Sequence, residues 1–160
     1  ASAGVFVLDL NSHFFDTTLE WAAEDPAGGV VVLGGHMRKV LIVEDSPVMR
    51  GMLETLVDTL GDVEVEAVEN GLEALRVLPS SEFSLIITDI NMPNINGLEL
   101  ISFIRNNAKH ERTPIIVVST EGAEKDREKG MSLGASAYLT KPFDESELVS
   151  LVTSLLGGNE

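Results

Sequence analysis

The sequence from Met37 onwards predicts an α/β domain, built as a doubly wound, five-stranded parallel sheet with helices on both faces. Short runs of consecutive apolar, largely β-branched residues recur along it, as in strands that are buried on both faces. Longer segments separate these runs, and their apolar residues recur every three to four positions, as in amphipathic helices. Parallel pairing follows from this alternation, and ligands of such sheets bind beyond the carboxyl ends of the strands.

The first two strand and helix units are defined by their cap residues. Residues 40–43 form a largely β-branched run that is too short for a helix, which predicts a strand. Ser46 then offers an N-cap and Pro47 stands at the first helical position. Residues 63–67 alternate apolar and acidic side chains, as expected of a half-covered edge strand. After this strand, Asn70 can cap a second helix that carries leucines at helical spacing.

Three further units repeat the pattern. Their predicted strands are residues 85–87, 115–118 and 137–139, and their predicted helices are about 98–106, 124–133 and 144–156. The last helix opens on a capping-box-like sequence that starts at Asp144, and it closes at Gly157. The alternation of five strands with five helices favours one parallel sheet that is covered on both faces.

Residues 1–36 differ in composition from the rest of the chain. They hold five acidic residues and four of the eight aromatic ones but no Lys or Arg, so the charge divides as −5 there and −10 in residues 37–160. Met37 is typical of a native start, whereas the glycine-bracketed segment 28–35 is typical of a linker. We therefore expect a domain over 37–160 and a separate N-terminal extension over 1–36.

Two interpretations of this extension stay open. It is an expression tag, or it is a partner-derived peptide that is fused through the Gly-rich linker and folds onto the domain. Residues 5–8 are expected to form a short strand. Asp16 can cap a brief helix that carries Leu19 and Trp21.

The composition excludes several classes of function. The 160 residues include 26 Asp and Glu against 11 Lys and Arg, a net charge of −15, so we expect no binding to nucleic acid or to an anionic membrane. The lack of cysteine excludes disulfides and thiolate metal sites, and it is compatible with a reducing cytoplasm. Because no apolar run reaches the roughly 18 to 20 residues of a membrane span, we expect a cytoplasmic protein that binds proteins or a metal cation.

Polar side chains follow four of the predicted strands. Glu44 and Asp45 follow the first strand, Asp89 the third, Ser119 the fourth and Lys141 the fifth. These positions meet at one edge of a parallel sheet, where three carboxylates repel one another and favour a hard divalent cation such as Mg²⁺. A carboxylate can attack phosphorus, and a phosphoryl group on the central acid would face the metal, the ammonium and the hydroxyl.

These residues resemble a known family. Glu44-Asp45, the run Thr88-Asp89-Ile90-Asn91-Met92-Pro93 followed by Gly97, Ser119 and Lys141-Pro142-Phe143 carry the resemblance. They resemble the receiver domain of bacterial response regulators, and most closely the single-domain chemotaxis type, the CheY-like receivers. The resemblance spans nearly all of residues 37–160 and implies the flavodoxin-like strand order 2-1-3-4-5.

The resemblance also implies a role for each site residue. Asp89 would accept a phosphoryl group from a histidine kinase, Lys141 would pair with the acyl phosphate, and Ser119 would donate a hydrogen bond to a phosphoryl oxygen. Mg²⁺ would be held by Asp45, Asp89 and the backbone carbonyl of Asn91, with Glu44 acting through water.

Two further roles concern switching and the lifetime of the phosphoryl group. Tyr138 would change rotamer as the Ser119 hydroxyl moves, which makes the pair a two-state element. Asn91 and Glu121 would tune autodephosphorylation.

The signal would leave through the face of the fourth helix, fifth strand and fifth helix, about residues 124–156, by docking a downstream protein or peptide. Since only residues 157–160 follow, we expect a stand-alone signalling domain without an effector domain, not a turnover enzyme.

Two other functions compete with this one. A phosphate-handling hydrolase needs a general acid or base beside its nucleophile and a cap over the substrate, and neither is visible in the sequence. Asn91 also stands where such enzymes typically carry another acid, so the sequence disfavours a hydrolase. A phosphorelay intermediate or phosphate sink without its own output stays open. His110 is expected simply to lie in a loop, and residues 122–130 to form mostly a solvated helix face.

Overall fold

A computed structural model describes residues 18–24, 30–120, 122 and 124–157 of the protein. The chain divides into two compact units, with the boundary between Met37 and Arg38. The prediction that residues 1–36 have a separate origin stays a prediction, and those of a strand at 5–8 and a cap at Asp16 lie outside the described residues.

The N-terminal unit contains an antiparallel strand pair. Strand β1, Thr18–Glu24, pairs with β2, Val30–His36, and Trp21 lies opposite Leu33. The predicted brief helix over Leu19 and Trp21 is therefore wrong, and residues 30–36 form a strand where a glycine-bracketed linker was expected. The physical reason is that apolar residues alternate with a period of two in β1 and that β2 opens with three valines, which favours pairing.

The second unit has the predicted parallel sheet. Its strands are β3 (Arg38–Val43), β4 (Val63–Val68), β5 (Leu85–Thr88), β6 (Ile115–Ser119) and β7 (Ala137–Thr140), and its helices are α1 (Pro47–Asp58), α2 (Gly71–Val77), α3 (Gly97–Arg105), α4 (Glu124–Leu133) and α5 (Glu145–Gly157). The strand order is β4-β3-β5-β6-β7 and every neighbouring pair is parallel. The doubly wound order 2-1-3-4-5 is thus confirmed.

Two apolar clusters cover the two faces of the sheet. Alternate residues of β3 divide between them, with Val40 and Ile42 packing with α1 and α5, and Leu41 and Val43 packing with α2 and α3. All four of these β3 residues are fully buried. Because β3 lies inside the sheet and is covered by helices on both faces, its side chains are apolar on both sides, which explains the continuous run in the sequence.

The predicted helix starts are confirmed at α1 and α2. Ser46 accepts a hydrogen bond from the Met49 amide at 3.4 Å, with proline next, and Asn70 caps α2. At α5 the Asp144 carboxylate accepts from the Ser146 amide at 3.2 Å, two residues on. A full capping box stands instead at the start of α3, where none was predicted. None of the helices within the described residues is long and apolar enough to cross a membrane.

His110 lies in the loop after α3, as expected, although its burial was not predicted. Its side chain is fully buried, with Nε2 at 2.9 Å from the Leu78 carbonyl oxygen and 3.1 Å from that of Ser81. Its Nδ1 lies 3.3 Å from Thr113 Oγ1. The imidazole therefore ties the loop after α3 to the segment after α2, since buried polar groups need partners.

Candidate functional site

The carboxyl edge of the sheet brings the predicted polar residues together. Glu44 and Asp45 follow β3, and Asp89 follows β5, the neighbouring strand. One carboxylate oxygen from each of the three lies within 4.8 Å of those of the other two. The ammonium of Lys141, just past β7, is 2.8 Å from Glu44 Oε2 and 3.4 Å from Asp89 Oδ2.

Glu44 is the most enclosed of the three acids, with an exposure of only 1%. Its Oε1 accepts a hydrogen bond from the Ser46 amide at 3.0 Å, and its Oε2 pairs with Lys141. Burial raises the pKa of this carboxyl and the charge of Asp89 adds to the rise, whereas Lys141 and the Ser46 amide lower it. Both oxygens are engaged, so the burial of this charge is compensated within the chain.

Asp89 is held from its backbone and its side chain. Its amide donates to the Val43 carbonyl at 3.1 Å, which continues the pairing of β5 with β3. Its Oδ1 accepts from the amides of Ile90 at 2.7 Å and Asn91 at 3.4 Å. The second oxygen, Oδ2, faces Lys141, so the carboxylate has one oxygen fixed by the loop and one beside a cation.

Asp45 differs because its side chain is exposed. It stands at the rim of the site, between buried Glu44 and the N-cap Ser46. The Glu44 carbonyl that precedes it accepts a hydrogen bond from Arg50 Nη1 at 2.8 Å. This contact ties the acidic turn to the first turns of α1.

Lys141 and Ser119 are brought together by the pairing of the last two strands. Ser119 lies opposite Thr140 in the register of β6 and β7, and the Lys141 amide donates to the Ser119 carbonyl at 2.9 Å. Ser119 is fully buried, while the Lys141 side chain is 10% exposed. The lysine therefore reaches its two carboxylates from a rigid strand end.

The other predicted residues fall in three places. Tyr138 is half-buried in β7 and packs against the α2/α3 face of the core. Asn91 is exposed in the loop after Asp89. Glu121 lies outside the described residues. The structure thus gathers Glu44, Asp45, Asp89, Ser119 and Lys141 at one edge, and the roles of all these residues stay predictions.

Two groups that touch the site were given no role from the sequence, although Thr88 stands in the run that carries the family resemblance. Thr88 Oγ1, fully buried, donates to the Asp89 carbonyl at 2.9 Å, and Arg50 donates to that of Glu44. Neither has a signal in the sequence by itself, because a threonine at a strand end and an arginine in a helix are common. Their positions one residue before Asp89 and six after Glu44 could have placed them near the site.

The chemistry of this site follows from its charges. Three carboxylates and one ammonium leave a formal charge of −2 at the sheet edge. Clustered carboxylate oxygens are the ligands that Mg²⁺ prefers, so the residues present fit this cation. A carboxylate can attack phosphorus, and a cation and an ammonium beside it would stabilise the charge of a phosphoryl group.

Comparison with known proteins agrees with this fold and identifies its family. Residues 40–153 match the family model of the response regulator receiver domain. The chain belongs to this family. Receiver domains are signalling domains of two-component systems, which are linked to histidine kinases, and they are not turnover enzymes in the ordinary sense.

Relatives of the receiver include both short and longer proteins. The Chemotaxis protein CheY homolog of Campylobacter jejuni is 38% identical over 120 residues, which cover 74% of this chain and 92% of that protein. "Probable transcriptional regulator ycf29" of Pyropia yezoensis is 39% identical over 119 residues, 74% of this chain and 53% of that protein. The chain therefore spans about half the length of the latter relative.

A solved structure supports the fold of the receiver. The receiver domain of a sensor histidine kinase from Pseudomonas aeruginosa PAO1 has a TM-score of 0.69 and 30% identity, covering 75% of this chain and 98% of that one. That structure holds a magnesium ion coordinated in its active-site cleft. Receiver domains bind Mg²⁺ at an acidic site, and this chain has a cluster of acids at the carboxyl edge of its sheet.

Proposed function

We propose that this receiver accepts a phosphoryl group on Asp89 from a phosphorylated histidine kinase. The observation that carries the proposal is the position of Asp89, whose Oδ2 lies 3.4 Å from the Lys141 ammonium beside two further acids. In the transfer, a carboxylate oxygen of Asp89 forms a bond to phosphorus while the bond from phosphorus to the histidine nitrogen of the kinase breaks. That nitrogen keeps the electron pair.

Mg²⁺ is the cofactor we propose. Asp45, Asp89 and the backbone carbonyl of Asn91 would hold it, with Glu44 acting through water. When bound, the cation supplies positive charge that offsets the repulsion between the carboxylates and the incoming phosphoryl oxygens. Glu44 is already paired with Lys141, which supports an indirect role for this acid.

Lys141 and Ser119 would hold the phosphoryl oxygens. Lys141 contributes its charge from a strand end, and Ser119 contributes its hydroxyl from the neighbouring strand. Movement of Ser119 toward the phosphoryl group would change the rotamer of Tyr138, and Asn91 and Glu121 would tune the loss of the group. The exposed surface of α4 and its neighbours β7 and α5 would then dock a downstream protein, as in a chemotaxis or motility pathway.

A substitution of the acceptor tests this function. Asp89→Asn keeps the size of the side chain and its bonds from the loop amides, so we expect the fold to be retained and phosphorylation to be lost. The measurement is uptake of radiolabel from a phosphorylated histidine kinase in Mg²⁺, together with far-UV circular dichroism. Labelling of the variant at the rate of the parent would contradict the assignment of Asp89.

A phosphorelay intermediate or phosphate sink is the remaining alternative. The labelled receiver is incubated with a histidine phosphotransfer protein, and onward transfer of the label supports the relay. A change in affinity for a motor or scaffold peptide on phosphorylation supports an output of its own. We also propose that residues 37–160 are the receiver, whereas residues 1–36 are an extension of separate origin.

A further inference from the structure

The first residue of α3 lies directly against the backbone of Asp89. A Cβ atom built on Gly97 would lie 2.8 Å from the Asp89 carbonyl carbon and from Ile90 Cα, and closer still to the Asp89 carbonyl oxygen. Real Cβ atoms essentially never approach other atoms to within 3.0 Å. All three obstacles are main-chain atoms, so no side-chain rotation can relieve the overlap.

The same peptide is held from other directions. The Gly97 amide donates to the Ile90 carbonyl at 2.9 Å, and Thr88 Oγ1 donates to the Asp89 carbonyl at 2.9 Å. The start of α3 is itself fixed by the reciprocal hydrogen bonds between Asn96 and Glu99. The Asp89 peptide is thus enclosed between the Thr88 hydroxyl and the first turn of α3.

A shift of this peptide would reach the carboxylate. Asp89 Oδ1 accepts its two hydrogen bonds from the amides of Ile90 and Asn91, which belong to the same turn. If Gly97 gained a side chain, the turn would have to move by about 1 Å to restore the 3.0 Å limit. The amides would move with it, and the side chain that they hold would follow.

We propose that Gly97 is a positioning residue, whose missing side chain lets α3 set the main chain of Asp89 and so aim its carboxylate at Lys141 and the predicted metal position. This inference rests on the proposed function of Asp89 as phosphoacceptor. A misplacement of about 1 Å in a reacting group can cost roughly 100-fold in rate. We expect a loss of that size in Gly97→Ala.

The experiment compares glycine-to-alanine variants of the full chain. Gly97→Ala is the test, and Gly51→Ala on α1 is the matched control, because a Cβ there meets nothing within 4 Å. Val57→Ala, in the cluster under α1, controls for lost stability alone. Three quantities are measured: the rate of phosphorylation by acetyl phosphate in Mg²⁺, the Mg²⁺ dissociation constant, and the amide ¹H–¹⁵N shifts of Ile90 and Asn91.

The expected result is specific to Gly97→Ala. Its phosphorylation rate falls about 100-fold, its Mg²⁺ affinity falls, and the amide shifts of Ile90 and Asn91 move. The Gly51→Ala and Val57→Ala variants keep the amide shifts and the rate of the parent while they are folded. A folded Gly97→Ala protein with parental shifts and a parental rate overturns the proposal.

A second variant keeps the test decisive if Gly97→Ala does not fold. Thr88→Val removes the hydroxyl that holds the Asp89 carbonyl and adds no bulk, so the same two amide shifts must move if the turn is pinned from both sides. Unchanged shifts in Thr88→Val overturn the proposal. If the parent chain takes no label, the phosphoacceptor function fails by itself, while the amide shifts still decide the role of Gly97.

Discussion

Removal of the Lys141 ammonium is the sharpest test of the electrostatics of this site. Lys141→Met keeps most of the side-chain volume but leaves Glu44 and Asp89, 1% and 7% exposed, without their shared cation. Breaking a buried pair from one side costs about 3–5 kcal/mol. Because Glu44 keeps the Ser46 amide, and Asp89 its own loop amides, we expect a loss near the lower end, about 3 kcal/mol at pH 7.

The loss should depend on pH in a predictable direction. Burial already raises the pKa of Glu44 above its ordinary value of 4.5, and Lys141 is the strongest group opposing that rise. Without Lys141 the pKa of Glu44 rises further. Between pH 4.5 and this raised pKa, the folded variant therefore binds more protons than the unfolded variant. The free energy of unfolding of Lys141→Met, measured relative to that of the parent, should therefore recover as the pH falls through this window.

Urea unfolding followed by circular dichroism measures both effects. The parent, Lys141→Met and the exposed-lysine control Lys129→Met are compared at pH 7 and pH 5.5, each with and without Mg²⁺. Added Mg²⁺ should restore much of the lost stability in Lys141→Met, since a bound cation replaces the missing charge. A Lys141→Met protein as stable as the parent at pH 7 without metal would refute the reasoning.

Three further predictions concern other parts of the receiver. Asp45→Ala should weaken Mg²⁺ binding because it removes a ligand at the rim, and equal affinities in titration calorimetry would contradict the metal role. Gly130→Ala should stabilise α4 by about 0.5–1 kcal/mol, since its Cβ would meet Leu98 and Tyr138 at 3.6 and 3.9 Å, which are ordinary contacts. The expected readout is slower amide hydrogen exchange in α4, and faster exchange would contradict the prediction. The hydrogen bond with Glu66 raises the pKa of Lys39, so the stabilising contribution of this lysine is complete below pH 10.5 and is lost as the pH rises through the raised pKa. Lys39→Met should therefore flatten the fall of the urea midpoint between pH 9 and 11.5. An unchanged dependence of the midpoint on pH would disprove this prediction.

Local patterns were enough to predict the sheet and its helices. The continuous apolar run of β3 and the caps at Ser46 and Asn70 act within a few residues, so the sequence displays them directly. The strand β1 was missed because its stability comes from β2, and Leu19 and Trp21 suit a helix as well as a strand until that partner is known. A pairing between segments is not visible in either segment alone.

The burial of individual residues could not be predicted from the sequence. His110 lies in a loop, as expected, but its burial depends on the carbonyls of Leu78 and Ser81, about 30 residues earlier in the chain. Similarly, the strand-end rule placed Asp89 and Lys141 at one edge, but the requirement at Gly97 is visible only when α3 is packed on the Asp89 peptide. Contacts between main-chain atoms leave no side-chain pattern to read.

The distances around Lys141 show why a receiver with Glu44 at this position favours a divalent cation. The longer side chain of Glu44 reaches the Lys141 ammonium at 2.8 Å, whereas Asp89 lies at 3.4 Å. The ammonium is therefore closer to Glu44 than to Asp89, the proposed acceptor. Asp89 is then only partly neutralised, and exposed Asp45 adds a further negative charge within 4.8 Å. One ammonium against three carboxylates leaves two negative charges, and a single Mg²⁺ ion matches that number. A divalent cation therefore matches the charge of this site, whereas a monovalent one would leave uncompensated negative charge beside Asp89, the proposed acceptor.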